Sequence, residues 1–526
     1  MLFSELPPEI VISIAKQLES EKDISSIMRT SARNYQLLLS FLYEHNVKFS
    51  SGSALIWCVD HENEAGVKLL LQFGASATEG ARIYYTDAKL LPKKLPVGSL
   101  YFARSVAMAK LLLDAGAHVD NTPGLEAETG AYIKPRGWGS PLHAAAEKGN
   151  IAVAKFLLEN GADVNYENDV SATPLHIAAD QRDVDLATLL LDYGADVNAL
   201  DEEASGLFDY YGTPLHFSLL DREHDTSYSM VNLLLERGAS LEIDGEASAT
   251  PLHIAAAACS LPTLKLLLDH AARTNARDGM GETPLFRVVA EPDPDVAYPD
   301  PNIQRPDLDM AKLLIDHGAL VDIEDNMGIT PLFLAAENET SDISKLLLDH
   351  GARVRARPGE TNFRNPLLQA ISMGVPATVE LLINHGAEVN AQDNRGSSCL
   401  HYAVRGGTID IEIMEVLLSH GALVDMQDKS GRTALHDTVR TAHLATADLL
   451  LLRKGVLVKE LEMPAPMSYD NQSRQNHLAA AKVLIDHGAS FTIPDARGIS
   501  AWDEAEGSEK HFDPSHFVGP IPDWND

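Results

Sequence analysis

Residues 139–165 read GSPLHAAAEKGNIAVAKFLLENGADVN, and residues 172–198 read ATPLHIAADQRDVDLATLLLDYGADVN. The second stretch begins 33 positions after the first and keeps its apolar spacing, its PLH and its closing GADVN. Further copies follow as GTPLHFSLL from Gly212 and ATPLHIAAAACSLPTLKLLLDHAARTN from Ala249. Self-similarity at this period marks a supersecondary unit that cannot bury its apolar face alone and stacks on its neighbours.

Each part of the unit has a mechanical reading. Thr173 caps a helix with its hydroxyl, Pro174 suits the first helical position, and Leu175 begins an apolar stripe. A second apolar helix ends in LLLDYGA, where Gly194 can take the left-handed conformation that closes it. Segments such as VNAQDNRGSS and VDMQDKSGRT place Asp and Gly at turn positions and form a finger leading to the next cap. The unit is helix, helix, finger.

With these residues in place, the chain resembles the ankyrin repeat, whose TPLH and GAD/V-N signatures recur across residues 53–505. The anchor varies: Ser53-Ala-Leu-Ile, Ser140-Pro-Leu-His, Thr283-Pro-Leu-Phe, Thr330-Pro-Leu-Phe, Asn365-Pro-Leu-Leu, Ser398-Cys-Leu-His, Thr433-Ala-Leu-His and Ser500-Ala-Trp-Asp. Loss of Thr or His there should weaken a cap without abolishing the repeat. Helix-closing pairs from Gly74 to Gly488 imply about 11–12 units in an all-α solenoid. Two regions stay open: residues 80–116, where TPLH is missing, and 433–488, which fit one repeat with a long insertion or two degenerate ones. At Ala271 the closing glycine is replaced, so the turn must change shape or hold alanine at positive φ. Loop insertions are expected near 80–100, 119–138, 200–211, 290–308 and 456–476, and a disordered tail over 506–526.

Composition agrees with a folded, helical chain: 45% hydrophobic, 22% charged and only 6% aromatic among 526 residues. A formal net charge of -34 repels phosphate backbones and anionic lipid, which argues against nucleic-acid and membrane partners. Cys58, Cys259 and Cys399 stand far apart without metal-ligand spacing and read as reduced core thiols. No basic leader or long uncharged apolar run is present, so an intracellular chain, cytoplasmic and/or nuclear, is expected. Histidines sit in the tetrapeptides or at helix ends, where they can meet unpaired carbonyls, so no metal or cofactor is expected. DGMG at 278–281 is a turn and not a phosphate loop, and the repeats leave no room for a catalytic domain. The chain is not expected to be an enzyme.

The opening, LPPEIVISIAKQLESEKDISSIMRTSARNYQLLLSFLY over residues 6–43, does not repeat. Two prolines and Glu9 suit a helix start, Ile10, Ile14 and Leu18 share one face, and Asp23 can cap a second helix bearing Ile24, Ile27 and Met28. Tyr35, Leu38, Leu39 and Leu42 mark a third. This pattern resembles the F-box, and its position before ankyrin repeats resembles a group of fungal F-box and ankyrin-repeat proteins. The resemblance implies that residues 1–48 form a small three-helix module before a solenoid over 49–505. It also implies that Leu6, Pro7, Ile10, Ile14, Leu18, Ile24 and Ile27 grip a Skp-type linker protein of a cullin ligase. The alternative for these helices is a cap that covers the first repeat.

The family's partners lie against fingers and first helices, which directs attention to residues 351–440. Bases there fall in fingers or first helices, while Glu380, Asp410, Glu412 and Glu415 fall towards second helices. Arg395, Arg405, Lys429, Arg432 and Arg440 are therefore candidates for a basic stripe that binds an acidic or phosphorylated target. The function expected is substrate recognition for a ubiquitin ligase of the SCF type, with a plain ankyrin scaffold or inhibitor as the alternative.

Overall fold

The computed structural model describes residues 53–76, 81–83, 95–120, 139–168, 170–201, 212–219, 227–242, 249–258, 260–290, 308–337, 341–355, 365–405, 409–442 and 471–509. Leu6, Pro7, Ile10, Ile14, Leu18, Ile24 and Ile27 lie outside the described residues, as do Cys259 and Gly455. The chain divides into two units, Met1–Ala272 and Arg273–Asp526.

In unit one α1 (Ser53–Asp60) packs on α2 (Glu64–Gln72), followed by a two-stranded antiparallel pair, β1 (Ala81–Ile83) and β2 (Leu95–Val97). A one-turn 3-10 helix, Ser99–Phe102, then packs on α3 (Val106–Asp114). Three further pairs are α4 (Pro141–Glu147) with α5 (Ile151–Glu159), α6 (Pro174–Asp180) with α7 (Val184–Asp192), and α8 (Pro214–Leu219) with α9 (Ser227–Glu236). The last is α10 (Pro251–Ala257) with α11 (Leu261–Asp269). First helices stack on first helices and second on second, so Leu142, Leu157, Leu175, Leu186 and Leu190 are fully buried. Each such leucine contributes about 1.5–3 kcal/mol.

Unit two repeats the scheme with α12 (Pro284–Val289) and α13 (Leu308–Asp316), α14 (Pro331–Ala335) and α15 (Asp342–Asp349), and α16 (Pro366–Met373) and α17 (Pro376–Asn384). Next come α18 (Cys399–Arg405) with α19 (Ile411–Ser419), and α20 (Ala434–Ala442) with α21 (Asn471–Asp486). A first-helix equivalent, α22 (Ala501–Glu509), packs on α20. The described residues thus hold eleven helix pairs and one further first helix, in keeping with the spacing of the helix-closing glycines.

Both open regions resolve physically. Only five positions separate Leu100 from the cap Ser105, against eight between Leu175 and Asp183, so the second repeat loses a turn and its first helix becomes the 3-10 helix. At the other end α20 and α21 pack as one pair and α21 packs on α19, so the described parts of 433–488 form one helix pair, with 443–470 outside the described residues. The fold also departs from purely α: β1 and β2 fall within the insertion expected near 80–100, where β-branched Ile83 and Val97 favour extended backbone. Helix α21 begins at Asn471, inside the loop expected over 456–476, and α22 runs past residue 506, where the tail was expected to start.

Ala271 keeps the turn and takes the strain. Its φ is +64° where Gly194 has +87°, and the closing bond from the Ala272 N–H to the Leu267 carbonyl survives at 3.1 Å. Gly396, at φ +78°, is needed for another reason: a Cβ there would stand 2.8 Å from the backbone nitrogen of Lys429 in the next finger.

Candidate protein-interaction surface

Four tetrapeptide histidines are clamps between repeats, whereas the buried Nε2 of His216 has no hydrogen-bond partner among the described residues. In α4 the Nδ1 of His143 accepts the Ser140 N–H at 3.0 Å, which fixes the proton on Nε2, and Nε2 donates to the Ala172 carbonyl of the next repeat at 3.0 Å. The same pair of bonds joins His176 to Thr173 and Gly212, His401 to Ser398 and Arg432, and His436 to Thr433 and Ile499. Burial pushes His143 and His176 down to about 4 and His216 to about 3, so these rings are neutral. Where Phe333 replaces the histidine, Thr330 still caps α14, through its hydroxyl at 3.2 Å from the Phe333 nitrogen. Helix-end histidines behave as expected: Nδ1 of His270, His317, His350, His385, His420 and His487 bonds the carbonyl four residues back at 2.8–2.9 Å. Among the described residues no cluster of His, Cys, Asp or Glu is arranged to hold a metal, and no helix is long and apolar enough to cross a membrane. Cys58 and Cys399 are buried and unpaired, and burial pushes the Cys399 thiol up to about 12.

A second clamp comes from the residue that closes GADVN. Asn165 donates to the Gly194 carbonyl at 3.2 Å and accepts the Asp196 N–H at 2.7 Å, tying one turn to the next. Asn198, Asn275 and Asn390 do the same, and Asp120, Asp322 and Asp425 keep the accepting half. Sequence reading found this residue only as part of the repeat signature and missed its role.

Five described fingers of unit two are held by one aspartate each, and Asn168 does the same in unit one. Asp278, Asp325, Asp393, Asp428 and Asp495 accept two backbone N–H groups of their own turn at 2.7–3.0 Å. Adjacent fingers then join through backbone, as from the Lys429 N–H to the Arg395 carbonyl at 2.8 Å. The fourth residue after each cap faces these fingers: Arg287 reaches Asp278 at 2.6 Å and Tyr402 reaches Asp393 at 3.1 Å.

Two of the five candidate bases, Arg405 and Arg432, are closely paired within the chain. Arg405 pairs with Asp437 at 2.5 Å and Asp428 at 2.9 Å, and the buried Arg432 pairs with Asp437 at 3.1 Å and Glu504 at 2.9 Å. Glu504 also meets Arg497 at 3.3 Å. Burial opposes charge on both arginines, yet their carboxylates outweigh it and hold the guanidiniums charged. Through these carboxylates the exposed Arg405 and the buried Arg432 tie the last repeats together. Asp437 and Glu504, four residues after their caps, are the acids that the sequence reading overlooked. Arg395, Lys429 and Arg440 remain exposed, with Arg440 at 4.0 Å from Asp437. Of the other bases in this region, Arg353 pairs with Asp322 and Glu324, and Arg355 with Glu388.

A model of ankyrin repeats in three copies matches residues 100–201, 303–393 and 367–460, and a model of the single ankyrin repeat matches 249–279, together more than half of the chain. The chain belongs to the ankyrin-repeat family. Among curated relatives it is similar to neurogenic locus notch homolog protein 1 of Xenopus laevis, 28% identical over 191 residues, and of Xenopus tropicalis, 36% identical over 191 residues. The Danio rerio protein of that name is 35% identical over 195 residues. These matches cover 36–37% of this chain and 6% of each relative's length. Among solved structures, the ankyrin repeat domain of Bcl-3, described as a unique member of the IkappaB protein family, aligns with 22% identity and a TM-score of 0.34 over 50% of this chain and 99% of that one. Ankyrin repeats are protein-interaction elements, and the described finger-facing helix positions are the candidate surface in this chain.

Proposed function

We propose that this chain is a non-catalytic receptor: its ankyrin repeats hold a protein target, and residues 6–43 dock on a Skp-type linker of a cullin-RING ubiquitin ligase. The observation that carries the target-binding half is the run of half-buried apolar side chains four residues after the caps, Ile177, Phe217 and Ile254 among them. The docking half rests on the sequence of residues 6–43 and their place directly before the first repeat. Proximity does the chemical work in such a receptor, because a tethered target meets the ubiquitin carrier at high effective concentration.

Affinity purification of the intact chain from cells tests both halves. Recovery of the linker and cullin, lost on deletion of residues 1–44 while target proteins are retained, is the expected result. Target proteins without linker or cullin from the intact chain would identify a plain scaffold or inhibitor and overturn the ligase link.

A further inference from the structure

The first and last described first helices are built differently. In the clamped repeats the third residue after the cap faces the next repeat, as His143 does through its bond to the Ala172 carbonyl. In α22 that position is Asp503, which is exposed, and Glu506 one turn on is exposed as well. A solenoid end needs such a polar outer face. The fifth residue after the cap has turned about 200° from the third and so faces the repeat before. In α4 and α6, which pack on the 3-10 helix and on α4 before them, it is Ala145 and Ala178, both buried.

In α1 the fifth residue is Cys58, and its exposure is only 3%. Among the described elements α2, the 3-10 helix and β1 pack on α1, and all three follow it in the chain. The Asn63 amide that caps α2 reaches the Cys58 Sγ at 3.8 Å, which accounts for the side towards α2. α1 reads SALIWCVD, six apolar residues in a row with no charge before Asp60. Trp57, on the finger side, is exposed, while Leu55, Ile56, Cys58 and Val59 are buried. An interior repeat is built this way and an end repeat is not.

The sequence holds a counterpart of the same kind. Residues 35–43, YQLLLSFLY, are seven apolar residues in nine with no charge, and they lie outside the described residues. The nine residues of EHNVKFSSG, 44–52, join them to α1. At up to about 3.3 Å each these reach about 30 Å, against about 8–10 Å between packed helices, and Ser50-Ser51-Gly52 suits the reversal. A segment tied this closely outcompetes a second copy of the chain, because its effective concentration is on the order of millimolar. The residues that the F-box resemblance assigns to the linker, from Leu6 to Ile27, all precede this stretch, so the two roles do not compete.

We infer that residues 35–43 cover the outer side of α1 over Cys58, so that the opening segment caps the solenoid as well as carrying the proposed linker surface. The cap does not depend on the ligase link. Repeats contact only their neighbours, so losing it opens the first repeats and leaves the later ones folded.

Cys58 is the reporter. The purified full chain is treated with iodoacetamide under native conditions, and alkylation of Cys58 and Cys399 is followed by peptide mass spectrometry. Both thiols are buried, so both are expected to react slowly in the unaltered chain. Leu38→Asp with Leu42→Asp should speed Cys58 at least ~10-fold, and Leu38→Ala with Leu42→Ala ~3-fold, with Cys399 unchanged within ~2-fold. Ile10→Asp with Ile14→Asp should leave Cys58 within ~2-fold of the unaltered chain. Cys58 that stays slow in both Leu38 and Leu42 variants, or that quickens only together with Cys399, overturns the inference. Protection of Cys58 that is lost on dilution assigns the cover to a second copy and overturns it too. Linker recovery from cells is read separately, so failure of the ligase link and failure of the cap are distinguishable.

Discussion

Acid should open unit one before unit two. His143, His176 and His216 lie on three consecutive repeats of unit one, and burial lowers them from 6.5 to about 4, about 4 and about 3. The folded values lie below the unfolded one, so between them the unfolded chain binds protons that the folded chain refuses, and stability falls as pH falls below about 6.5. At about 1.4 kcal/mol for each tenfold change, His143 and His176 each withdraw about 3 kcal/mol by pH 4 and His216 somewhat more. Together this is on the order of 10 kcal/mol, as large as the whole stability of an ordinary domain. Burial raises the Glu147 carboxyl, which offsets a part of the loss as pH falls. In unit two burial also lowers His401, one ring against three, while Asp428, opposed by burial but held by Ser430 and Arg405, lies at about 2, so its contribution is full above about 4 and is lost only below that. Hydrogen exchange read by mass spectrometry between pH 7 and pH 4.5, corrected for intrinsic exchange, reports each unit separately. The expected result is a steep loss of protection in residues 139–219, reduced in slope by about a third in His176→Gln. Protection that stays flat to pH 4.5, or a slope unchanged by the substitution, refutes neutral buried histidines as the source.

Other substitutions probe the clamps. Ala271→Gly relieves a left-handed alanine and should stabilise the chain by about 1 kcal/mol, seen as a higher urea midpoint. Asn390→Ala removes both bonds to the next turn and should destabilise unit two by about 1–3 kcal/mol in the same titration, with Asn390→Asp restoring the accepting half. Asp437→Asn withdraws charge from Arg405 and the buried Arg432 and should lower the stability of residues 399–509 by about 1.5–3 kcal/mol, measured by hydrogen exchange.

The repeat was legible because its parts act locally. Thr173, Pro174 and Gly194 each do one thing to their own stretch of backbone, and the sequence shows them directly. Pairings across repeats were less visible. Arg405 and Arg432 look like free cations when read along the chain, because Asp437 and Glu504 come 32 and 72 residues later. The apolar finger-facing positions of unit one were hidden for a different reason: Ile177 and Ile254 sit among buried neighbours in PLHIAA, and only their half-exposure separates them from core. A shortened first helix before Ser105 was written in the spacing from Leu100, but no TPLH marked where to count from.

The receptor reading meets its most direct test in the full chain carrying Ile10→Asp and Ile14→Asp, purified from cells beside the unaltered chain. Two carboxylates in place of the isoleucines at 10 and 14 cannot be buried in an interface without a penalty of several kcal/mol. The predicted result is loss of the Skp-type linker and cullin with the target protein still bound to the repeats. Linker recovered equally from both chains, or from neither, contradicts it.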